Sequence, residues 1–366
     1  MDKNTKIWII ILAIIPFLLY FTTNSFIDGD SYYYLNAVCN GGEASASSIA
    51  FQYILSIIPC NFLIIKTIQA ILYALTLYFL TKTAQIFTKN YTYAPFLIAS
   101  TFLVTEFMKF ENDGIGILLG ITAIFFYFNK QKVLSLVTLG LGFLFWYGVG
   151  YWLIIFPIAF ILTLPLFYKN IFWFLTKPEV TIMEHTPWLG FLNYGFMLPL
   201  FYLGILNTKN KKIVITFILL TLINIFISKL WVLALPFGLI IALNSIDFLQ
   251  EKYNQQIKNY IKISGIIIAL TFCLTIINQP FTQQDTDLIK QGITLACETE
   301  NCLINNDFSS GHTIIFYGGK TNQKGSIKDY EYKGIVIDIN SPKLKIPKSC
   351  IKINETKFFR LLQCNQ

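Results

Sequence analysis

Charge is what this sequence has least of. Only 13% of its 366 residues are charged, against 55% hydrophobic and 16% aromatic, and many runs of 15 to 20 residues carry no charge. A soluble domain interrupts its apolar runs with charge, whereas crossing about 30 Å of hydrocarbon takes an unbroken run of about 20 residues. With a mean hydropathy of +0.58, the bilayer is read as the solvent for residues 7–279. Arginine is nearly missing, Arg360 being the only one. The net charge of +8 therefore rests on lysines, scattered through short loops and the tail rather than gathered into a stripe, which excludes nucleic acid as a partner. No small-residue cleavage site follows the first apolar run, so it is read as an uncleaved span rather than a signal peptide. No internal repeat is visible and the acids avoid the middles of the runs, unlike a typical transporter.

What is present is a series of apolar runs separated by lysines. Lys3 and Lys6 hold the N-terminus inside, span one covers 7–22, and the loop 23–47 is then outside. Residues 48–58 are too short to cross and stop at Pro59, so they are read as a helix lying on the outer surface. Spans follow at 62–81, 92–108 and 114–128, with their inner ends at Lys82, Lys89, Lys130 and Lys132. The stretch 133–188 is read as three short, tilted or broken spans, with breaks at Gly148, Gly150, Pro157 and Pro165. Further spans are expected at 190–206, 213–228, 230–246 and 263–279, with a polar inner stretch at 247–262. The expectation is an all-α polytopic domain over 1–279 with about eleven crossings, and an extracytoplasmic C-terminal α/β or α+β domain over 280–366.

Six of the seven cysteines fall where that topology places an oxidising compartment: Cys39 and Cys60 around the first outer loop, and Cys297, Cys302, Cys350 and Cys364 in the tail. Cys273 stands alone in the last span. The four tail cysteines allow three connectivities, and their spacing lacks the second close pair of a zinc site. Strand-like pieces occur at 313–319, 334–339 and 350–353. Asn354-Glu355-Thr356 is a glycosylation sequon on the side where it can be used.

Carboxylates are scarce in the membrane part, so their positions carry weight. Asp28 and Asp30 follow span one in IDGDSYYYL, Glu111 and Asp113 precede span four, and Glu184 lies in VTIMEHTPW. All three groups fall at the outer interface, where hard oxygen ligands suit a divalent cation or a general base. Singly, each is also an ordinary solvated loop acid, and Asp30 with its three tyrosines fits an interfacial aromatic belt.

In their order along the chain these motifs resemble the catalytic subunit of oligosaccharyltransferase, within the wider GT-C family of membrane glycosyltransferases. Asp30 matches the first-loop acid of that family, Glu111 and Asp113 match the second acidic motif, and Thr181, Ile182 and Glu184 match the Thr-Ile-x-Glu motif. The resemblance implies Mg²⁺ or Mn²⁺ held by Asp30, Glu111, Asp113 and Glu184, with Asp30 and Glu184 catalytic. Lys229 stands where the family places an arginine on the donor phosphate; it supplies the charge without the bidentate fork, and a lysine snorkelling at a helix end is the plain alternative. Asn306, Asp307 and His312 fall where the family reads its acceptor, but Asn305 and Asn306 replace both tryptophans of that motif and Gly311 comes late.

The expected function is transfer of a glycan from a polyprenyl or dolichyl (pyro)phosphate donor in the outer leaflet to an acceptor, protein Asn among the candidates. The stretch 48–58 and the cleft between spans would admit the donor lipid. The alternatives are a GT-C enzyme moving a single sugar to lipid or polysaccharide, or a non-catalytic transporter or assembly subunit of the cell membrane.

Overall fold

The computed structural model describes residues 1–23, 26, 30–41, 49–145, 192–226, 231–253, 256–275, 283–296, 316–317, 334–338, 350–356 and 359–364. These residues are mostly helical, with one small sheet near the C-terminus. Three helical stretches are long and apolar enough to cross a membrane: Lys3–Thr22, Phe62–Phe87 and Gln256–Leu274. Asp113–Phe128, Lys132–Gly142, Met197–Asn207 and Trp231–Ile246 are apolar but shorter. About eleven full-length crossings are thus not what the described residues contain, and the three expected between 133 and 188 fall largely outside them, beyond residue 145.

The first span begins at Asp2, whose carboxylate accepts from the Thr5 N–H at 2.8 Å and the Thr5 hydroxyl at 2.7 Å. That N-cap satisfies one of the donors that a helix start leaves open. Helix α1 (Lys3–Ile14) passes through a 3₁₀ turn at Ile15–Phe17, which contains Pro16, into α2 (Leu18–Thr22). α3 (Asp30–Asn40) and α4 (Ile49–Ile57) follow and pack on each other. α4 has the length expected of the 48–58 helix and leaves Tyr53 and Ile57 largely exposed. The Cys39–Cys60 disulfide ties the end of α3 to the residues just ahead of Phe62 and closes the segment that holds α4.

α5 (Phe62–Phe87) starts on an Asn61 cap and packs against α1, α2 and α8 (Asp113–Phe128). At 1.5 Å per residue it is about 39 Å long. The expected third span, 92–108, is not one helix. It consists of a 3₁₀ turn at Lys89–Tyr93, then α6 (Ala94–Ala99) and α7 (Leu103–Met108). The hydroxyls of Ser100 and Thr101 donate to the carbonyls of Leu97 and Ile98, and the Phe102 N–H is taken by the Asn193 carbonyl at 3.0 Å. The turn at 193–196 thus satisfies a backbone donor that the break between α6 and α7 leaves open. Gly195 in that turn has φ +50°, and a Cβ there would lie 2.1 Å from the Ser100 carbonyl oxygen.

α8 pairs with α9 (Lys132–Phe145). Beyond the break come α10 (Met197–Asn207), α11 (Lys211–Phe226), α12 (Trp231–Tyr253) and α13 (Gln256–Thr275). Much of the polar inner stretch at 247–262 is helical, because α12 runs to Tyr253 and α13 begins at Gln256. α12 is central and packs on α5, α10, α11 and α13, with Trp231, Leu235, Leu239 and Leu243 buried.

In the tail, α14 (Gln283–Ala296) packs on β1 (Gly334–Asp338) and β3 (Phe359–Cys364). The sheet order is β1-β3-β2, both pairs antiparallel, with β2 at Cys350–Glu355. β1 and β2 lie where the sequence indicates strands. The piece expected at 313–319 lies outside the described residues except for Phe316 and Tyr317, which are a helical residue and a turn.

Candidate functional site

The first two acidic motifs meet near the C-terminal end of the first span. Asp30 is the first residue of α3, Glu111 lies in the turn before α8, and buried Asp113 is the first residue of α8. The Phe110 N–H donates to the Ser31 hydroxyl at 2.8 Å. Ser31 is fully buried and Phe110 nearly so, so a bond between the immediate neighbours of Asp30 and Glu111 joins the motifs away from water. The Tyr20 hydroxyl ties the end of the first span to the same turn by donating to the Met108 carbonyl at 2.7 Å. On the far side, the Asn112 amide donates to the Phe145 carbonyl at 2.7 Å.

Aromatic rings support this junction. Phe26 packs edge-on against Tyr20, Tyr32 and Phe62 and lies 6.2 Å from the Phe110 ring. Phe51 of α4 bridges Tyr34 and Phe110, at 5.2 and 6.1 Å. Tyr32 is completely buried, which corrects its place in an interfacial belt; Tyr33 and Tyr34 are half-buried.

The tail packs onto this junction. The Asn40 amide donates to the Phe316 carbonyl at 2.9 Å, and the Phe316 ring lies 5.4 Å from Tyr32 and 6.1 Å from Phe62. The Tyr32 hydroxyl accepts from the Phe26 N–H and is hydrogen-bonded to that of Tyr317. Burial pushes the Tyr32 phenol well above its ordinary range, with Tyr317 adding to the shift, and burial raises Tyr317 too. Both remain neutral at physiological pH, so the contact is a hydrogen bond between phenols, capped by the Lys290 ammonium 4.8 Å from the Tyr317 ring.

The remaining expected site residues lie outside the described residues: Asp28, Thr181, Ile182, Glu184, Lys229, Asn305, Asn306, Asp307, Gly311 and His312. For Asp30 the backbone is described and the side chain is not. Among the described residues no three His, Cys, Asp or Glu side chains form a metal-binding group. Ser31, which joins the motifs, and Lys66, which braces the first span, went unnoticed in the sequence. A lone lysine four residues into an otherwise apolar run was the available signal for Lys66. Compared with known proteins, the chain matches no family model and no curated protein.

Proposed function

We propose that this chain is a membrane glycosyltransferase of the GT-C type, drawing on a polyprenyl phosphate-type donor. The observation that carries the reading is the buried Phe110-to-Ser31 hydrogen bond, which makes neighbours of two acidic motifs about eighty residues apart in sequence. Asp30, Glu111 and Asp113 offer hard oxygen atoms, a donor set that suits Mg²⁺ or Mn²⁺. Such an ion, when bound, neutralises charge on the departing phosphate. In the transfer the bond from sugar C1 to phosphate oxygen breaks, and the electron pair leaves with the lipid phosphate. The acceptor heteroatom bonds to C1, and its proton passes to Asp30 as general base. Glu184 completes the acid set, Lys229 balances the donor phosphate, and Asn306, Asp307 and His312 contact the acceptor. On this reading these residues and the 280–366 domain lie on the extracytoplasmic side of the cell membrane, a compartment that suits the Cys39–Cys60 disulfide.

Deleting the gene should cause the lipid-linked sugar donor to accumulate in membranes, as measured by mass spectrometry of extracted lipids. Wild type should clear the accumulation, whereas Asp30→Ala should insert normally and fail to clear it. Clearance by Asp30→Ala removes the proposed role of Asp30, and no accumulation on deletion removes the reading.

One observation favours a transporter instead. The Gln69 amide and the Tyr73 hydroxyl, a helical turn apart on α5, are buried without a hydrogen-bond partner among the described residues, and polar groups inside a span often mark a transport path. Gln69→Leu and Tyr73→Phe should leave donor clearance intact if the chain is a transferase.

A further inference from the structure

At the lysine-rich end of the first span, away from the acidic junction, lies a crevice of about 400 Å³ between α1, α6 and α13. Its polar rim includes Asp2 and Lys262, and its wall is formed by Ile7, Trp8, Ile11 and Phe96. Trp8 and Phe96 hold each other at 5.1 Å between ring centres, and Ile7 and Ile11 are exposed on the outer face of α1. Asp2 and Lys262 carry opposite charges into one crevice, yet form no ion pair with each other among the described residues. Asp2 accepts from Thr5 and from the Tyr91 hydroxyl at 3.1 Å, while the Lys262 ammonium stands 5.6 Å from the Tyr93 ring.

We propose that this crevice binds a phospholipid with a zwitterionic, amine-bearing headgroup, its phosphate on Lys262, its ammonium on Asp2 and its upper acyl chain along Ile7, Trp8 and Ile11. The separated charges suit a ligand carrying both signs. The exposed isoleucines below the rim require an apolar continuation, and an indole beside a charged rim is the usual composition of a membrane interface. The Thr5 bonds hold the Asp2 carboxyl down to about 2, so it is an anion whenever the lipid is present. A purely anionic headgroup meets that carboxylate, and a choline headgroup lacks an N–H to donate to it.

The full chain in detergent, titrated with phosphatidylethanolamine, phosphatidylglycerol or phosphatidylcholine of matched acyl chains and followed by native mass spectrometry, tests this. Phosphatidylethanolamine should bind tightest, and Lys262→Gln should weaken it about tenfold, the loss of one charge-assisted contact. Asp2→Asn keeps an N-cap oxygen, so the fold survives; it should reduce the preference over phosphatidylglycerol by a similar factor. Equal binding of the three lipids, or unchanged preferences in both variants, overturns the proposal. Soluble glycerophosphoethanolamine binding as well as the lipid would also overturn it, because the apolar wall would then contribute nothing.

Discussion

The Lys66 ammonium and the Thr23 carbonyl oxygen are 2.5 Å apart, inside a helix bundle that buries the lysine completely. The same ammonium donates to the Tyr20 carbonyl and the Thr23 hydroxyl, each at 2.8 Å, so its three hydrogens are all used. It also lies 4.2 Å from the Tyr20 ring centre. A cation at the C-terminal end of a helix meets both the open carbonyls and the negative end of the dipole. Lys66 thus fastens α5 to the end of the first span, just ahead of the acidic junction.

Lys66→Met should therefore cost about 3 kcal/mol or more, since it removes hydrogen bonds from a charged donor worth about 1.5–3 kcal/mol each and leaves carbonyls buried. Thermal unfolding in detergent measures this. A midpoint equal to wild type would show that the ammonium is not holding the span.

Gly204→Ala should loosen the contact of α10 with α12. A Cβ at Gly204 would stand 2.1 Å from the Ile241 carbonyl oxygen, and small residues at such crossings are what let membrane helices approach. Overpacking of this kind costs about 1–3 kcal/mol. Gly140, with nothing within 4 Å of its Cβ position, is the control, and Gly140→Ala should unfold like wild type. Equal midpoints for the two variants would contradict the packing described.

Much of the helical domain is legible in the sequence because long apolar runs mark α1 with α2 and α5, despite Pro16 and Lys66 inside them, and a shorter apolar run marks α8. The short helix α4 was legible from the apolar run that stops at Pro59, and the Cys39–Cys60 pair from its place around one loop. The break between α6 and α7 was not, since Ser100 and Thr101 are ordinary in an apolar span and the group that satisfies Phe102 comes from residue 193. β3 was missed because FRLLQC puts Leu361 and Leu362 side by side, hiding the alternation that marks a strand. The acidic motifs were visible as residues, but the bond joining them uses a serine hydroxyl and a backbone N–H that no spacing rule selects.

Asp2 makes stability depend on pH in one direction. Its folded value of about 2 lies below the ordinary 3.8, so the charged form favours the folded state. That contribution is complete above 3.8 and fades as pH falls towards about 2. Wild type should exceed Asp2→Asn in unfolding midpoint at neutral pH, with the gap closing only in acid across that window. A gap that widens on acidification contradicts the assignment of the cap.

The central claim is that Asp30 and the Glu111–Asp113 turn form one divalent-cation site, and the most direct measurement is electron paramagnetic resonance of Mn²⁺ titrated into the purified full chain. The account predicts a bound-Mn²⁺ spectrum that Mg²⁺ displaces. Asp30→Asn and Glu111→Gln should each weaken it about tenfold or more, as removal of one charged ligand does, and Ser31→Ala, which unties the two motifs, should weaken it as well. Absence of bound Mn²⁺ in the wild type, or a spectrum that all three variants leave intact, would contradict the account.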